Sequence, residues 1–393
     1  MTRPKRKRRE EPREEPKSLT QQVEEEAKKT IERKGDGIGP DPKTITPDRL
    51  IPSGITKLNC ACSDNPFGAF AKGSINTVPG KSASGKTALM LTMLAACAQT
   101  PGFDDYELVL DDAEEAQEFD LDYLFPSLVG RLKAPRYDDE LPVYSNTIED
   151  FEGNVLLRCK TGNPFIYVLD SLDTLSSDAE LEREYKNALK NAKTGEEKEK
   201  IKKSYGTEKA RIISQTLRMV NGNIKTGDSA LFIIQQTKQN LNKIFKYQPD
   251  WITSGGEAPY FYSFHRIFTV SIQSHKAEFK GQKHKIGGKT QIEVIKNKLN
   301  GKKRVIDIDI FEDLGFDDLA GNIDYLKSVK RIKMNGAYMI FPDILGDEKM
   351  HRADLIKYIE RENLEHKIQE IVGEEWNEVE EGLRLSDRKR RFV

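Results

Sequence analysis

The sequence predicts an α/β fold: a mostly parallel, twisted sheet, preceded by an N-terminal helix and followed by a small C-terminal α+β domain. Three observations carry that expectation. Short apolar runs alternate with helical stretches from about residue 50 to 315. Several of those runs, "FIYVL" and "ALFII" among them, are apolar throughout, as central strands covered on both faces are. Residues 80–87, "GKSASGKT", lie between a strand-like run and a helix-like one, which is the setting of a strand–loop–helix unit.

Gross properties narrow the function classes. The chain has 393 residues, enough for roughly two or three domains. Its 63 basic and 64 acidic residues leave a net charge of −1, so any DNA or RNA site must be a local patch. Cys60, Cys62, Cys97 and Cys159 are scattered. They suit neither a disulfide framework nor a zinc pair, and read as thiols in a reducing compartment. The absence of a membrane-length apolar run and of a signal peptide gives the expectation of a soluble, cytoplasmic protein.

The elements follow in order. Residues 1–17 are charged and proline-bearing, include "KRKRR", and read as a disordered tail. Residues 18–48 hold a helix, "SLTQQVEEEAKKTIERKG", closing at Gly35, and then a polar linker. Strands are expected at "GSINTVPG", "YELVLDD", "PFIYVLDSL", "SALFIIQQT", "YSFHRIFTVSIQ", "KTQIEVIKNKL" and "RVIDIDIF", which makes 49–315 the core. Two stretches interrupt it. Residues 178–207 are a charged helical insertion. Residues 237–256 lack a helix or strand pattern and end in Gly255-Gly256; a loop of that length is a functional candidate. Residues 316–380, with a helix, a hairpin and an amphipathic helix, form the small C-terminal domain, and 381–393 a charged tail.

Chemistry concentrates first at residues 80–87. G-x-x-x-x-G-K-[ST] is a phosphate-binding loop, which points to a nucleoside triphosphate. Gly80 and Gly85 let the chain turn, and the backbone N–H groups around Ser82 and Ser84 point inward at phosphate oxygens. Lys86 supplies a positive charge to the β and γ oxygens, and Thr87 offers a hydroxyl to Mg²⁺. Asp170 emerges at the carboxyl end of an apolar strand, where it would hold Mg²⁺ through water; Asp173 is the alternative. Asp111, Asp112, Glu114 and Glu115 end another strand, and pattern alone does not choose a water-activating group among them. Gln235 and Gln236 end a third, where an amide can sense a γ-phosphate. In 237–256, Lys238, Lys243 and Lys246 interleave with Ile244, Phe245, Trp251 and Ile252. Cations among flat or apolar groups suit single-stranded nucleic acid.

From residue 18 to 373 the sequence resembles the RecA recombinase family. "PSGITKLNCACS…GAFAKGSINTVPGKSASGKTAL" is similar to the family's first strand and phosphate loop, and "IYVLDSLDTL" to its magnesium-aspartate strand at Asp170. The resemblance of "LVLDDAEEA" places the catalytic glutamate at Glu114. That of "ALFIIQQT" places the sensor glutamine at Gln236. "SGGEAPYFYSFHRIFTV" resembles the stretch after the family's second DNA loop, which implies DNA contacts from Lys238, Lys243, Ile244, Phe245, Lys246, Trp251, Gly255 and Gly256. It also implies an interface aromatic at Phe261. "IEVIKNKLNGKKR" resembles the segment whose lysines reach a neighbour's ATP, here Lys296 and Lys298; their i, i+2 spacing on a strand gives them one face. Tyr123 and Phe119 are the candidates for the adenine-stacking aromatic.

The resemblance implies a RecA-type core and a DNA-dependent ATPase using ATP and Mg²⁺. Such a protein forms helical filaments on single-stranded DNA, then pairs them with homologous duplex and exchanges strands. Single-strand-binding and loader proteins are further implied partners. The divergence from the bacterial pattern suggests a phage or mobile-element member. The alternatives are a hexameric helicase motor on the same core, a small-molecule kinase and an ATP-binding scaffold.

Overall fold

The fold is that of a computed structural model, which describes residues 46–115, 119–194, 205–240 and 251–385. The expected helix at 18–35, the tail at 1–17 and the end of the charged C-terminal tail lie outside the described residues.

Strand β1 (Leu50–Ile51) and helix α1 (Thr56–Ser63) precede β2 (Phe70–Ala71) and β3 (Ser74–Gly80). Helix α2 (Lys86–Gln99) leads to β4 (Glu107–Asp112) and the short β5 (Leu132–Lys133). A small hairpin, β6 (Arg136–Asp138) and β7 (Leu141–Val143), precedes helix α3 (Ile148–Thr161) and β8 (Phe165–Asp170). Helices α4 (Asp178–Thr194) and α5 (Tyr205–Thr226) are followed by β9 (Ala230–Gln239) and β10 (Trp251–Thr253). Then come α6 (Ala258–Tyr262), β11 (His265–Phe279), β12 (Gln282–Asn297), β13 (Val305–Phe311) and β14 (Gly315–Phe316).

These strands build one sheet in the order β14-β13-β12-β11-β3-β9-β8-β4-β5, with β10 added to β9. From β11 through β5 every pairing is parallel; β12, β13 and β14 continue the sheet antiparallel. Strands β3 and β8 are buried along their whole length. Alternation sorts their residues to two cores. Ile166 and Val168 join one core with α1 and α2; Phe165, Tyr167 and Leu169 join the other with α3 and α5. The parallel strands therefore end together, and their carboxyl ends form the edge at which the candidate site lies.

One expectation changes. Residues 237–256 are not patternless where described. Strand β9 continues to Gln239, and Trp251–Thr253 pairs back on it antiparallel, with Trp251 opposite Gln239. Three residues are too short for any periodicity to register, although an aromatic and two β-branched groups fit a strand. The strands at the antiparallel side of the sheet are less covered. The outer halves of β11 and β12 are exposed, forming a hairpin that leaves the body of the sheet.

After the sheet, α7 (Asp318–Ser328), β15 (Lys333–Asn335), β16 (Tyr338–Ile340), β17 (Lys349–His351), α8 (Arg352–Arg361) and α9 (Glu365–Gly382) close the described chain. Their apolar residues, Ile323, Leu326, Leu355 and Ile368 among them, share the core that holds α1. The Asp318 carboxylate accepts from Thr56 N at 2.7 Å and Thr56 Oγ1 at 2.6 Å, which joins α7 to the start of α1. Among the described residues no helix is long and apolar enough to cross a membrane.

Candidate active site

The loop after β3 is shaped by two glycines. A Cβ on Gly80 would stand 2.3 Å from Thr269 Oγ1 on β11, so only hydrogen fits. Gly85 has φ +85°, a conformation that costs glycine little, and stands at the start of α2. Ser84 is buried; its hydroxyl donates to Lys81 O at 2.8 Å and meets Thr269 Oγ1 at 2.7 Å. That hydroxyl therefore holds the loop's shape, which leaves the backbone N–H groups to meet a phosphate. Ser82 is exposed on the loop. Lys86 is buried at the start of α2, and its ammonium donates to Lys81 O at 2.7 Å. Burial lowers its pKa, which Asp170 and Glu114 oppose.

Ends of three parallel strands supply the rest. Thr87 Oγ1 donates to Asp170 Oδ2 at 2.5 Å. Desolvation, with Glu114 and Asp112 nearby, pushes the Asp170 carboxyl up to about 6 even though Thr87 stabilises its charge. Glu114 follows β4; its Oε1 accepts from Ser171 Oγ and, at 3.1 Å, from Gln236 Nε2. Ser82, Ser84, Gly85, Lys86, Thr87, Glu114, Phe119, Asp170 and Gln236 line one cavity of about 190 Å³. Thr87 and Asp170 offer a small set of hard oxygens. That set fits Mg²⁺, which keeps several waters and is bound through few protein ligands plus phosphate.

Geometry separates the acids that pattern alone left open. Asp111 is fully buried and accepts from Ser145 N, Ser145 Oγ and Tyr167 Oη at 2.5–2.8 Å. It braces the sheet against the segment before α3. Glu115 has φ +47° in a turn, and it does not line the cavity. Asp173, the alternative metal ligand, faces elsewhere: its carboxylate accepts from Gln236 N at 2.6 Å and from Ser254 Oγ. It ties the end of β9 to the residue after β10. Of the two aromatic candidates, Phe119 lines the cavity, whereas Tyr123 lies on the short helix Leu121–Leu124 and is 66% exposed.

Gln235 faces the other way from Gln236. It is buried, donates to Ser254 O at 2.8 Å, and accepts from Arg266 Nη1 at 3.0 Å. Arg266 also donates to Thr253 Oγ1 at 3.1 Å and Thr77 Oγ1 at 3.3 Å. Burial among these neutral partners lowers its pKa to about 10. Sequence reasoning missed Arg266; the signal was a lone cation in the apolar run "HRIFTV". Gly255 and Gly256 both have positive φ, +89° and +66°, directly after this network. Lys238 lies on β9 opposite Ile252, and Trp251 opens β10. Lys243, Ile244, Phe245 and Lys246 lie outside the described residues.

Lys296 and Lys298 stand away from the cavity, at the end of β12. Both reach the carboxyl end of α6: Lys296 Nζ donates to Tyr260 O and, at 3.1 Å, to Phe261 O, and Lys298 Nζ to Phe261 O at 3.4 Å. Asn297 between them is buried and donates to Cys62 O at 2.8 Å, so strand alternation does put the lysines on one face. Desolvation, with Lys298 and Arg266 adjacent, lowers the Lys296 pKa to about 8. The Phe261 ring beside them is 69% exposed. Cys60 and Cys62 are buried in α1, which pushes both thiols well up.

A sequence model of the RecA N-terminal domain matches residues 160–317, which include Asp170, Gln236 and both lysines. The chain is 27% identical over 333 residues to Protein RecA of Xanthomonas axonopodis pv. citri, covering 85% of this chain and 84% of that one. To Protein RecA of Xylella fastidiosa (strain M12) it is 29% identical over 282 residues, covering 72% and 70%.

Proposed function

We infer that this chain is a RecA-family, ATP-dependent DNA recombinase, a phosphate-loop ATPase whose turnover depends on DNA. The observation that carries the reading is the convergence of Lys86, Thr87, Asp170, Glu114 and Gln236 on one cavity at the carboxyl edge of a parallel sheet.

On this reading the triphosphate lies along the loop 80–87, with its phosphates at the backbone N–H groups and Lys86. Thr87 and, through water, Asp170 would hold Mg²⁺, which when bound would neutralise developing phosphate charge. Glu114 takes the proton of the attacking water. Its present partner Gln236 is drawn to the γ-phosphate, which leaves Ser171 Oγ on Glu114 Oε1 and gives up one acceptor position there to that water. Phe119 and Tyr123 are the aromatics available to the adenine.

The lysine edge is read as the other half of a shared site. Lys296 and Lys298 of one subunit meet the phosphates bound by the next, with Phe261 buried between them. A head-to-tail contact repeats as a closed ring or as an open helical filament according to its rotation, and the recombinase reading takes the filament. Single-stranded DNA is the polymer that such a filament follows, with homologous duplex as the second substrate, and single-strand-binding and loader proteins as accessory partners. Lys238, Trp251, Gly255 and Gly256 are its contacts among the described residues, and Lys243, Ile244, Phe245 and Lys246 complete the set. Gln236 connects the two ligands physically: its side chain is on Glu114, while its N–H is on Asp173, which also holds Ser254. Within this reading, 49–315 is the ATPase core and 316–380 the small C-terminal domain.

Electron microscopy with single-stranded DNA and a slowly hydrolysed ATP analogue tests the assignment. Helical filaments are expected. Closed rings would indicate a helicase motor, and unassembled protein would remove the recombinase reading.

A further inference from the structure

Lys81 is the second residue of the phosphate loop, and the motif leaves its identity free. Its ammonium lies 4.2 Å from the centroid of the Trp251 ring, inside the range of an attractive cation–ring contact. The same residue's carbonyl accepts from Lys86 Nζ at 2.7 Å and from Ser84 Oγ at 2.8 Å. One residue thus holds the loop's lysine through its backbone and the first residue of β10 through its side chain.

The far end of β10 is pinned separately. Thr253 Oγ1 accepts from Arg266, Ser254 O from Gln235, and Ser254 Oγ donates to Asp173. Trp251, two residues earlier, is the point at which the strand touches the phosphate loop itself. This is a direct route between the two ligand sites, distinct from the one through Gln236.

We propose that the Lys81–Trp251 contact is exchanged when ligands bind, so that Lys81 is a positioning residue linking nucleotide affinity to DNA affinity. The inference rests on the recombinase reading and deepens it. A phosphate in the loop draws Lys86 off the Lys81 carbonyl and attracts the Lys81 ammonium toward its own charge. A base cannot stack on the Trp251 face that Lys81 covers, so stacking there releases the same ammonium to the loop. Each ligand removes the contact that opposes the other. The coupling is positive and, by linkage, equal in both directions. Its size is that of one partly exposed cation–ring contact, about two- to fivefold in affinity.

The test is a cycle of Lys81→Met, Trp251→Ala and the double variant in the full chain. The affinity for a fluorescent, slowly hydrolysed ATP analogue is measured with and without saturating oligothymidylate. Saturation keeps weaker DNA binding by the tryptophan variant out of the ratio. In the parent, DNA tightens nucleotide binding; each single variant should lower that factor about two- to fivefold, and the double variant no further. Reductions that multiply in the double variant, or a factor that Lys81→Met leaves unchanged, overturn the inference while the recombinase reading stands. A parent that binds neither nucleotide nor oligothymidylate removes both. A second readout needs no alanine at 251. The emission of Trp251, taken as the parent spectrum minus that of Trp251→Phe, should shift on nucleotide binding and should not shift in the Lys81→Met background. A Trp251 emission that is indifferent to bound nucleotide also overturns the exchange.

Discussion

At the phosphate loop, Thr87 reaches Asp170 at 2.5 Å, Lys86 reaches the Lys81 carbonyl at 2.7 Å, and Glu114 holds Ser171 and Gln236. At the lysine edge, Lys296 and Lys298 rest on the carbonyls of Tyr260 and Phe261, beside a ring that is 69% exposed. The first region pairs donor with acceptor inside one chain. The second collects Lys296, Lys298 and Arg266, and Lys296 loses proton affinity because it is partly desolvated and its neighbours are cations. A cluster of that kind is complementary to an anion it does not itself contain. On the proposed reading, the loop carries the contacts a subunit makes to its own nucleotide, and the edge carries the charges it would offer to its neighbour's.

Breaking the complete half should have the largest effect. Lys86→Ala should abolish ATP hydrolysis, measured as phosphate release, and filament assembly with it, because the loop loses its fixed charge at the β and γ oxygens. Next is Glu114→Gln, which keeps the hydrogen-bonding shape but not the base. Hydrolysis should fall about 10²-fold or more while nucleotide still binds; unchanged turnover would return the role to another group.

The half-site should respond differently. Lys296→Ala combined with Lys298→Ala should lower DNA-stimulated hydrolysis about 10²-fold, the scale of removing a preorganised charge from a transition state. Nucleotide binding to the isolated subunit should remain, as titration with a fluorescent analogue would show. A loss of that binding would place the lysines in their own subunit's site. Phe261→Ala should weaken assembly by roughly tenfold in the critical protein concentration, as for one buried aromatic anchor.

The smallest expected effect is on pH. Lys296 loses its charge as pH rises through about 8. If it must be charged to meet a neighbour's phosphate, assembly takes up a proton and weakens from about pH 7 to 9. The stability of the isolated subunit moves oppositely: with the folded value lowered, stability rises with pH from about 8 toward the ordinary lysine value. Lys296→Arg, charged throughout, should flatten the assembly profile if this residue is responsible.

The two regions also differed in how much could be read in advance. The loop was legible because its chemistry sits in eight contiguous residues whose strand and helix flank it directly. Strand β8 and the first half of β9 were legible because they are covered on both faces, and an unbroken apolar run survives no other environment well. Asp173 was harder. Its distance in sequence from Asp170 says nothing of direction, and the turn after β8 points it at Gln236 N and Ser254 instead of the loop. Asp111 and Asp112 look equivalent in the string "LDD". Strand alternation sends Asp111 into the core, where Ser145 and Tyr167 satisfy it. Arg266 and the Lys81–Trp251 contact depend on partners far away in sequence, so no local pattern announces them.

The central claim is that one active site is divided between two subunits. It is tested most directly by mixing two inactive proteins on single-stranded DNA: Glu114→Gln, with an intact lysine edge, and the Lys296→Ala, Lys298→Ala variant, with an intact loop. Random head-to-tail assembly at equal amounts restores both halves at about a quarter of the interfaces, and ATP hydrolysis should return to about that share of the parent rate. A mixture that co-assembles on DNA yet stays as inactive as its components would contradict a shared site.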